Sequence, residues 1–225
     1  MESVKRKKRG IDYLIIFYLK CKAGLYSLLH LKGVLQIRKV KKEHKGIQLK
    51  MAELLKIIHA IEEFEACRLL IFGLGNDSSF WNAVNKKGRT LFLEDYEPWF
   101  EKITHEHPEL EAHKISYPGN ITQWQELMDK PEKLEIELPS GIANQEWDVI
   151  LVDGPRGHNL MPETPGRMSS IYMASKLHAK GGYVFVHDAE RFIESGYAEK
   201  YLGKDHLVGK VRGRALLLIY HFVSG

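Results

Sequence analysis

"LLIFGLGND", Leu69 to Asp77, decides the fold: four apolar residues run straight into a turn with two glycines, an amide and a carboxylate. A strand buried on both faces loses the period-two polarity of a half-exposed one. The run therefore reads as a central strand of a parallel sheet, and the glycines as the turn at its carboxyl end. Gly73 and Gly75 allow a tight bend and let a ligand approach the backbone with no Cβ in the way. Asp77 or Ser78 is suited to cap the helix that follows.

Outward from this turn, strands and helices alternate. "RLLIF" is followed by the helical "SSFWNAVNK", the strand "TLFLE" and the helix "PWFEKITHEH", with Pro98 suited to the first turn. "AHKIS" reads as a third strand. An irregular region from Tyr117 to Gln145 comes next, with a helix over Thr122 to Met128. "WDVILVD", helical "GRMSSIYMASKLHAK", strand "GGYVFVHD" and helix "AERFIESGYAEKYL" complete the alternation. "HLVGKV" and "ALLLIYHFV", joined by the turn "RGR", form a terminal strand pair. Upstream, Leu54, Leu55, Ile58 and Ile61 give the segment Leu49 to Phe64 one buried helical face. The pattern predicts a doubly wound, Rossmann-like α/β domain: a seven-stranded, mostly parallel sheet with helices on both faces.

The chain of 225 residues is expected to divide into a basic N-terminal helical extension and linker, 1–46, and one main domain, 47–225. Residues 1–45 hold 13 Lys/Arg against 3 Asp/Glu, whereas the rest holds 20 against 26. So acidic a body is a poor polyanion binder, which excludes nucleic acid as the main partner. Cys21 and Cys67 are far apart and set among apolar neighbours, and read as inert core thiols. The apolar Leu14 to Leu19 run, broken by Lys20 and Lys22, is too short to span a bilayer. Ile11, Leu14, Ile15, Tyr18, Leu25, Leu28 and Leu29 share a helical face, which suits docking on the domain or peripheral membrane contact beside Lys5 to Arg9. Asn76-Asp77-Ser78 spells a glycosylation acceptor that would obstruct the turn, so the expected location is cytoplasmic, membrane-peripheral if the helix docks on lipid.

Ligands of such a sheet bind beyond the carboxyl ends of the strands. Gly73, Gly75, Asn76 and Asp77 follow the first apolar run, Glu94 and Asp95 the second, Tyr117 the third and Asp153 the fourth, with His187 and Asp188 closing the fifth. Glu94 lies 21 positions after Gly73, the separation at which a carboxylate meets ribose hydroxyls in nucleotide-binding sheets. A dinucleotide would want a third Gly or Ala where Ser78 stands and would be repelled by Asp77. S-adenosylmethionine, cationic at sulfur and without phosphate, suits the acidic turn.

"FGLGNDSSFW", "TLFLEDYEPW", "WDVILVDGP", "PGRMSSIYMA" and "VFVHDAERFIE", in this order, resemble the glucuronoxylan 4-O-methyltransferase family of plant cell-wall polysaccharide biosynthesis. The resemblance spans roughly residues 66 to 222. It implies a class I S-adenosylmethionine-dependent fold and methyl transfer to the 4-hydroxyl of a glucuronic acid residue on a glycan. Position by position, it implies a cofactor turn on Gly73, Gly75 and Asp77, a ribose-facing acid at Glu94, and active-site residues at Asp153, Arg167, His187 and Asp188. Asn76 departs from the pattern's His, Gly154 from its Ala, "RGHNLMPET" replaces a shorter segment, and the plant anchor is not matched, so a distant, anchor-less member is expected.

A sugar hydroxyl attacks a methyl group well only if a base takes its proton, typically a factor of about 10² to 10⁴ in rate. Asp153 is the favoured base and His187 the residue that orients it or the acceptor. Arg156 or Arg167 would hold the uronate carboxylate by a two-pronged hydrogen bond, with a loop-anchoring salt bridge as the competing reading for Arg167. A small-molecule O-methyltransferase assisted by a divalent cation on Asp153 and Asp188 is the less favoured alternative, because Mg²⁺ sites keep waters and use few protein ligands. A noncatalytic glycan-assembly protein retaining the fold is a further alternative. Trp81, Trp99 and Trp124 suit either the core or a sugar platform.

Overall fold

The computed structural model describes residues 47–157 and 164–223, all within one compact unit that runs from His44 to Gly225. The expectations for residues 1–46, including Cys21 and the basic helix, and the middle of "RGHNLMPET" lie outside the described residues. None of the helices described is long and apolar enough to cross a membrane.

Helix α1 (Met51–Glu62) leads into β1 (Arg68–Phe72), α2 (Ser78–Val84), β2 (Arg89–Glu94), α3 (Glu97–Glu106) and β3 (Glu111–Lys114). The short α4 (Trp124–Met128) and α5 (Ser140–Ala143) precede β4 (Trp147–Val152). Then come α6 (Met168–Leu177), β5 (His178–Val186), α7 (Phe192–Leu202), β6 (Leu207–Arg212) and β7 (Leu216–His221). The sheet order is β3-β2-β1-β4-β5-β7-β6. Strands β1 to β5 pair in parallel, and β7 lies antiparallel to both β5 and β6. The expected seven-stranded topology is present.

Strand order reverses at β1, whose neighbours are β2 and β4. All six residues of β4 and four of five in β1 are buried, which explains their unbroken apolar runs. Edge strand β6 instead alternates half-buried and exposed residues. The amino ends of β1 and β4 are tied by Arg68 and Asp148, whose carboxylate takes the guanidinium at 2.6 and 3.0 Å and the Arg68 backbone N–H at 2.8 Å. Cys67 is buried beside them, its thiol pushed up to about 12, first by desolvation and then by the Asp148 charge.

The boundary between α6 and β5 differs from expectation. "LHAK", read as the end of a helix, contributes its last three residues to β5, because His178 pairs with Trp147 in the sheet and its ring stacks on Phe222 at 3.5 Å. The register shifts between Trp147 and Val149, where Gly182 passes too close for a side chain: a Cβ there would lie 2.8 Å from the Asp148 carbonyl. The region Tyr117 to Gln145 supplies Ile121, Leu127, Leu134, Ile136 and Ile142 to the core. That is why it stays ordered with little regular structure.

Candidate active site

A cavity of about 740 Å³ opens where β1, β2, β4 and β5 end. At β1 the chain bends through Gly73, whose φ of 117° is a region that favours glycine. Gly73 meets the turn after β4 backbone to backbone, since a Cβ on Gly154 would lie 2.8 Å from Gly73 Cα. Glu94 closes β2 and braces this bend: its Oε2 accepts the Leu74 N–H at 2.8 Å and its Oε1 the Tyr96 N–H at 3.0 Å. Burial raises the pKa of Glu94 and of Asp95. At the start of α2, Gly75 N–H donates to the Ser78 hydroxyl at 2.9 Å, and Asp77 sits at the cap position without capping. Asp77 Oδ2 instead accepts the Trp81 indole N–H at 3.2 Å. Burial and then the Asp153 charge push the Asp77 carboxyl up to about 6. Asn76 is exposed at the cavity wall.

Beyond β4 and β5 the charges are interlocked. His187 Nδ1 lies 3.0 Å from Asp153 Oδ1, and His187 Nε2 lies 3.2 Å from Oε1 of the fully buried Glu53 on α1. Burial alone would lower the His187 pKa, but the Asp153 hydrogen bond and the Asp153 and Asp188 charges win and raise it. Burial likewise would raise the Asp153 pKa, and the His187 hydrogen bond and the Arg167 charge hold it below the usual carboxylate range. The two shifts agree: the pair favours carboxylate beside imidazolium.

Arg167, at the start of α6, is only 5% exposed. Its guanidinium donates to the carbonyls of Pro155, Asp153 and His187 at 3.3, 2.7 and 2.6 Å and contacts Asp153 Oδ1 and Asp188 Oδ2 at 3.2 and 2.8 Å. It ties the β4 and β5 turns together, and with Nε and Nη2 engaged it has no pair of adjacent donors left for a two-pronged grip on a substrate carboxylate, so the loop-anchoring reading describes it. Asp188 takes a left-handed φ of 58°, tolerated better by Asp than by most residues, and lies between Arg167 and Arg191, the latter at 2.9 Å.

Tyr117 does not line the cavity. β3 ends at Lys114 and the chain turns inward, so the Tyr117 hydroxyl meets Ser170 of α6 at 3.0 Å and burial raises its pKa. Arg156 is exposed over the Tyr96 ring at 4.4 Å, beside Asp95. Trp99 lines the cavity and donates its indole N–H to the Leu74 carbonyl, whereas Trp124 packs edge-on against Phe192 outside it. Glu53, Arg191 and Arg214 were not singled out from the sequence. Glu53 had a signal, a carboxylate on the apolar stripe it shares with Ile57 and Ile61.

The family described as IRX15/IRX15L/GXM matches the chain over residues 52–136 and 130–217. The chain belongs to that family. Among the relatives of this IRX15/IRX15L/GXM chain in Arabidopsis thaliana, arabinogalactan O-methyltransferase 1 is 32% identical over 199 residues, 78% of the chain and 66% of the relative. Glucuronoxylan 4-O-methyltransferase 1 is 35% identical over 178 residues, covering 70% and 61%. Protein IRX15-LIKE is 36% identical over 170 residues, covering 63% and 52%. The IRX15/IRX15L/GXM chain thus spans roughly half to two thirds of the length of these curated relatives.

Among solved structures, an O-methyltransferase from Bacillus cereus in complex with SAH superposes with a TM-score of 0.51 at 14% identity, covering 85% of this chain and 90% of that one. A precorrin-6y C5,15-methyltransferase from Geobacter metallireducens gives 0.50 at 10%, covering 80% and 92%. These likenesses show the fold: the IRX15/IRX15L/GXM chain has the class I methyltransferase architecture.

Proposed function

We propose that this protein is an S-adenosylmethionine-dependent O-methyltransferase acting on a glycan, at the 4-hydroxyl of a glucuronic acid residue. The relatives' names support a polysaccharide acceptor. The observation that carries the reading is that a carboxylate-imidazole pair stands in one cavity with a glycine turn and a ribose-spaced acid. The residues fit the cofactor: Gly73 and Gly75 leave the wall without side chains, Glu94 is held by two backbone N–H groups, and Asp77 supplies negative charge. S-adenosylmethionine would bring a methyl group on a cationic sulfur.

Exposure and hydrogen bonding favour Asp153 over His187 as the base. Both ring nitrogens of His187 face carboxylates, and its side chain is 8% exposed against 31% for Asp153. His187 therefore has no nitrogen to offer the acceptor. Both His187 and Arg167 engage Asp153 through Oδ1, leaving Oδ2 to accept the acceptor's hydroxyl proton as the new C–O bond forms. His187 and Arg167 hold that carboxylate in place. Their charges make it a weak base, so the proton moves late in the transfer.

The test is incubation with labelled methyl donor and a panel of uronic-acid oligosaccharides, followed by mapping of the methylated oxygen. Label on the 4-oxygen is expected; label only on neutral sugars would refute the acceptor. Asp153→Asn should lower kcat by at least about 10²-fold, the scale of a lost general base, with S-adenosylhomocysteine affinity nearly unchanged. Calorimetry showing no S-adenosylhomocysteine binding would favour the noncatalytic glycan-assembly reading.

A second reading adds a divalent cation, because donor atoms of Asp153, His187 and Asp188 all lie within 4.8 Å of one another. Arg167 already contacts both carboxylates, so an ion there would have to displace a guanidinium. Activity that survives exhaustive chelation would remove this reading.

A further inference from the structure

We propose that Arg214, on the turn between β6 and β7, binds the carboxylate of the acidic acceptor sugar and so determines selectivity for a uronate over a neutral sugar. The inference rests on the acceptor reading above and names the residue that enforces it. Four arginines line the cavity: Arg156, Arg167, Arg191 and Arg214. Arg167 is held by three carbonyls and two carboxylates, with Nε and Nη2 engaged and no two-pronged face left. Arg191 lies between Asp188 at 2.9 Å and Glu194 at 3.5 Å. Arg156 lies over the Tyr96 ring, and its charge acts on Asp95 at the β2 end, where the ribose is expected. Arg214 is exposed and, among the described residues, forms no ion pair; its Nη1 donates to the neutral Gln48 side chain at 2.5 Å.

The turn that carries Arg214 is pinned to the reacting end of the cavity. Gly213 lies so close to Glu53 that a Cβ would fall 2.0 Å from its Oε2, and Glu53 in turn lies 3.2 Å from His187, the partner of Asp153. The Gly213 N–H closes the turn on the Ala215 carbonyl at 2.9 Å, and buried Ala215 itself lines the cavity. A short chain of contacts thus fixes the Arg214 backbone relative to the base, while its side chain projects from an exposed turn. With Nη1 on Gln48, Nη2 and Nε remain as a two-pronged donor that matches a carboxylate, a match that a lysine ammonium cannot make.

The experiment is calorimetric titration of the S-adenosylhomocysteine-loaded protein with a glucuronic-acid-bearing xylo-oligosaccharide and with the same oligosaccharide amidated at that carboxyl. The wild type should bind the acid more tightly by about 10- to 100-fold, the factor expected of a charge-assisted hydrogen bond. Arg214→Ala should bind acid and amide alike, Arg214→Lys should lie between, and Arg212→Ala, on the same hairpin but outside the cavity, should match the wild type. Unchanged S-adenosylhomocysteine affinity in the Arg214 variants verifies their fold. Equal binding of acid and amide by the wild type, or an acid preference retained by Arg214→Ala, would overturn the proposal. An Arg214-dependent preference with no methyl transfer to any sugar would instead refute the transfer reading and leave Arg214 as a uronate-binding residue.

Discussion

Asp77 shows how a single carboxylate at a cavity wall can oppose stability. Its pKa rises from 3.8 to about 6, first through burial and then through Asp153. Because the folded state holds this proton more tightly than the unfolded one, the Asp77 contribution to stability is complete below about pH 4 and is lost as pH rises through about 6. The ligand-free protein at pH 7.5 therefore carries a penalty. Asp77→Asn should raise its stability there by about 1–2 kcal/mol, the pKa shift discounted for partial exposure, with no gain at pH 4; denaturant titrations at both pH values would show it. The same ionisation predicts that affinity for S-adenosylmethionine, cationic at sulfur, climbs several-fold from pH 5 to pH 7, whereas that for S-adenosylhomocysteine, neutral at sulfur, stays flat. Parallel slopes for the two would dissociate Asp77 from the sulfonium. Glu53 makes a different case. It is buried, its Oε2 accepts the Lys50 N–H at 2.7 Å, and its Oε1 faces His187 with no other partner among the described residues. Glu53→Gln keeps the shape and removes the charge opposite the imidazolium. It should lower kcat by about 10- to 100-fold, the loss typical of a residue that orients a functional histidine, with the acceptor KM within about threefold; unchanged turnover would leave Glu53 only its helix-start role.

Among the elements, α2 carries the glycine turn at one end and a buried clamp at the other. Asn85, just after the helix, places its amide nitrogen 3.0, 3.1 and 3.0 Å from the Cys67 carbonyl, the Arg89 carbonyl and the Thr90 hydroxyl, joining the amino ends of β1 and β2. Asn85→Ala should cost about 1–3 kcal/mol through buried acceptors left unpaired, with S-adenosylhomocysteine affinity nearly unchanged because the clamp lies at the far end of the strands. A loss of affinity as large as the loss of stability would show that turn and clamp move together. The β1 and β4 strands were legible in the sequence because burial on both faces removes alternation, and the glycine turn because Gly73 adopts a φ that few other residues tolerate. The α6-β5 boundary was not, since helical periodicity runs through "LHAK" and only the distant Trp147 draws His178 into the sheet. Tyr117 misled for a similar reason: strand order places it near the carboxyl edge, but side-chain packing turns its hydroxyl to Ser170.

Across the whole molecule, the strand-end rule located Gly73, Asp77, Glu94, Asp95, Asp153, His187 and Asp188 in one cavity, because a parallel sheet puts every carboxyl end on the same side. It could not find Glu53 or Arg214. Neither follows a parallel strand: Glu53 lies buried behind the cavity against His187, and Arg214 lines it from the β6-β7 turn, which packs on α1 where Gly213 meets Glu53. The cavity wall is thus assembled from the ends of β1, β2, β4 and β5 together with that turn, and its acidic groups repel one another until a ligand fills the space between them. A ligand that bridges those segments stabilises the folded state by mass action, about 2.7 kcal/mol at a concentration 100 times its Kd. For a chain of this size each kcal/mol raises Tm by about 2–4 °C. Saturating S-adenosylhomocysteine should therefore raise Tm by about 5–10 °C, and NADH, whose pyrophosphate would meet Asp77, should leave it within about 1 °C. A larger shift with NADH than with S-adenosylhomocysteine would assign the glycine turn to a dinucleotide and leave Asp153 and His187 without a methyl donor.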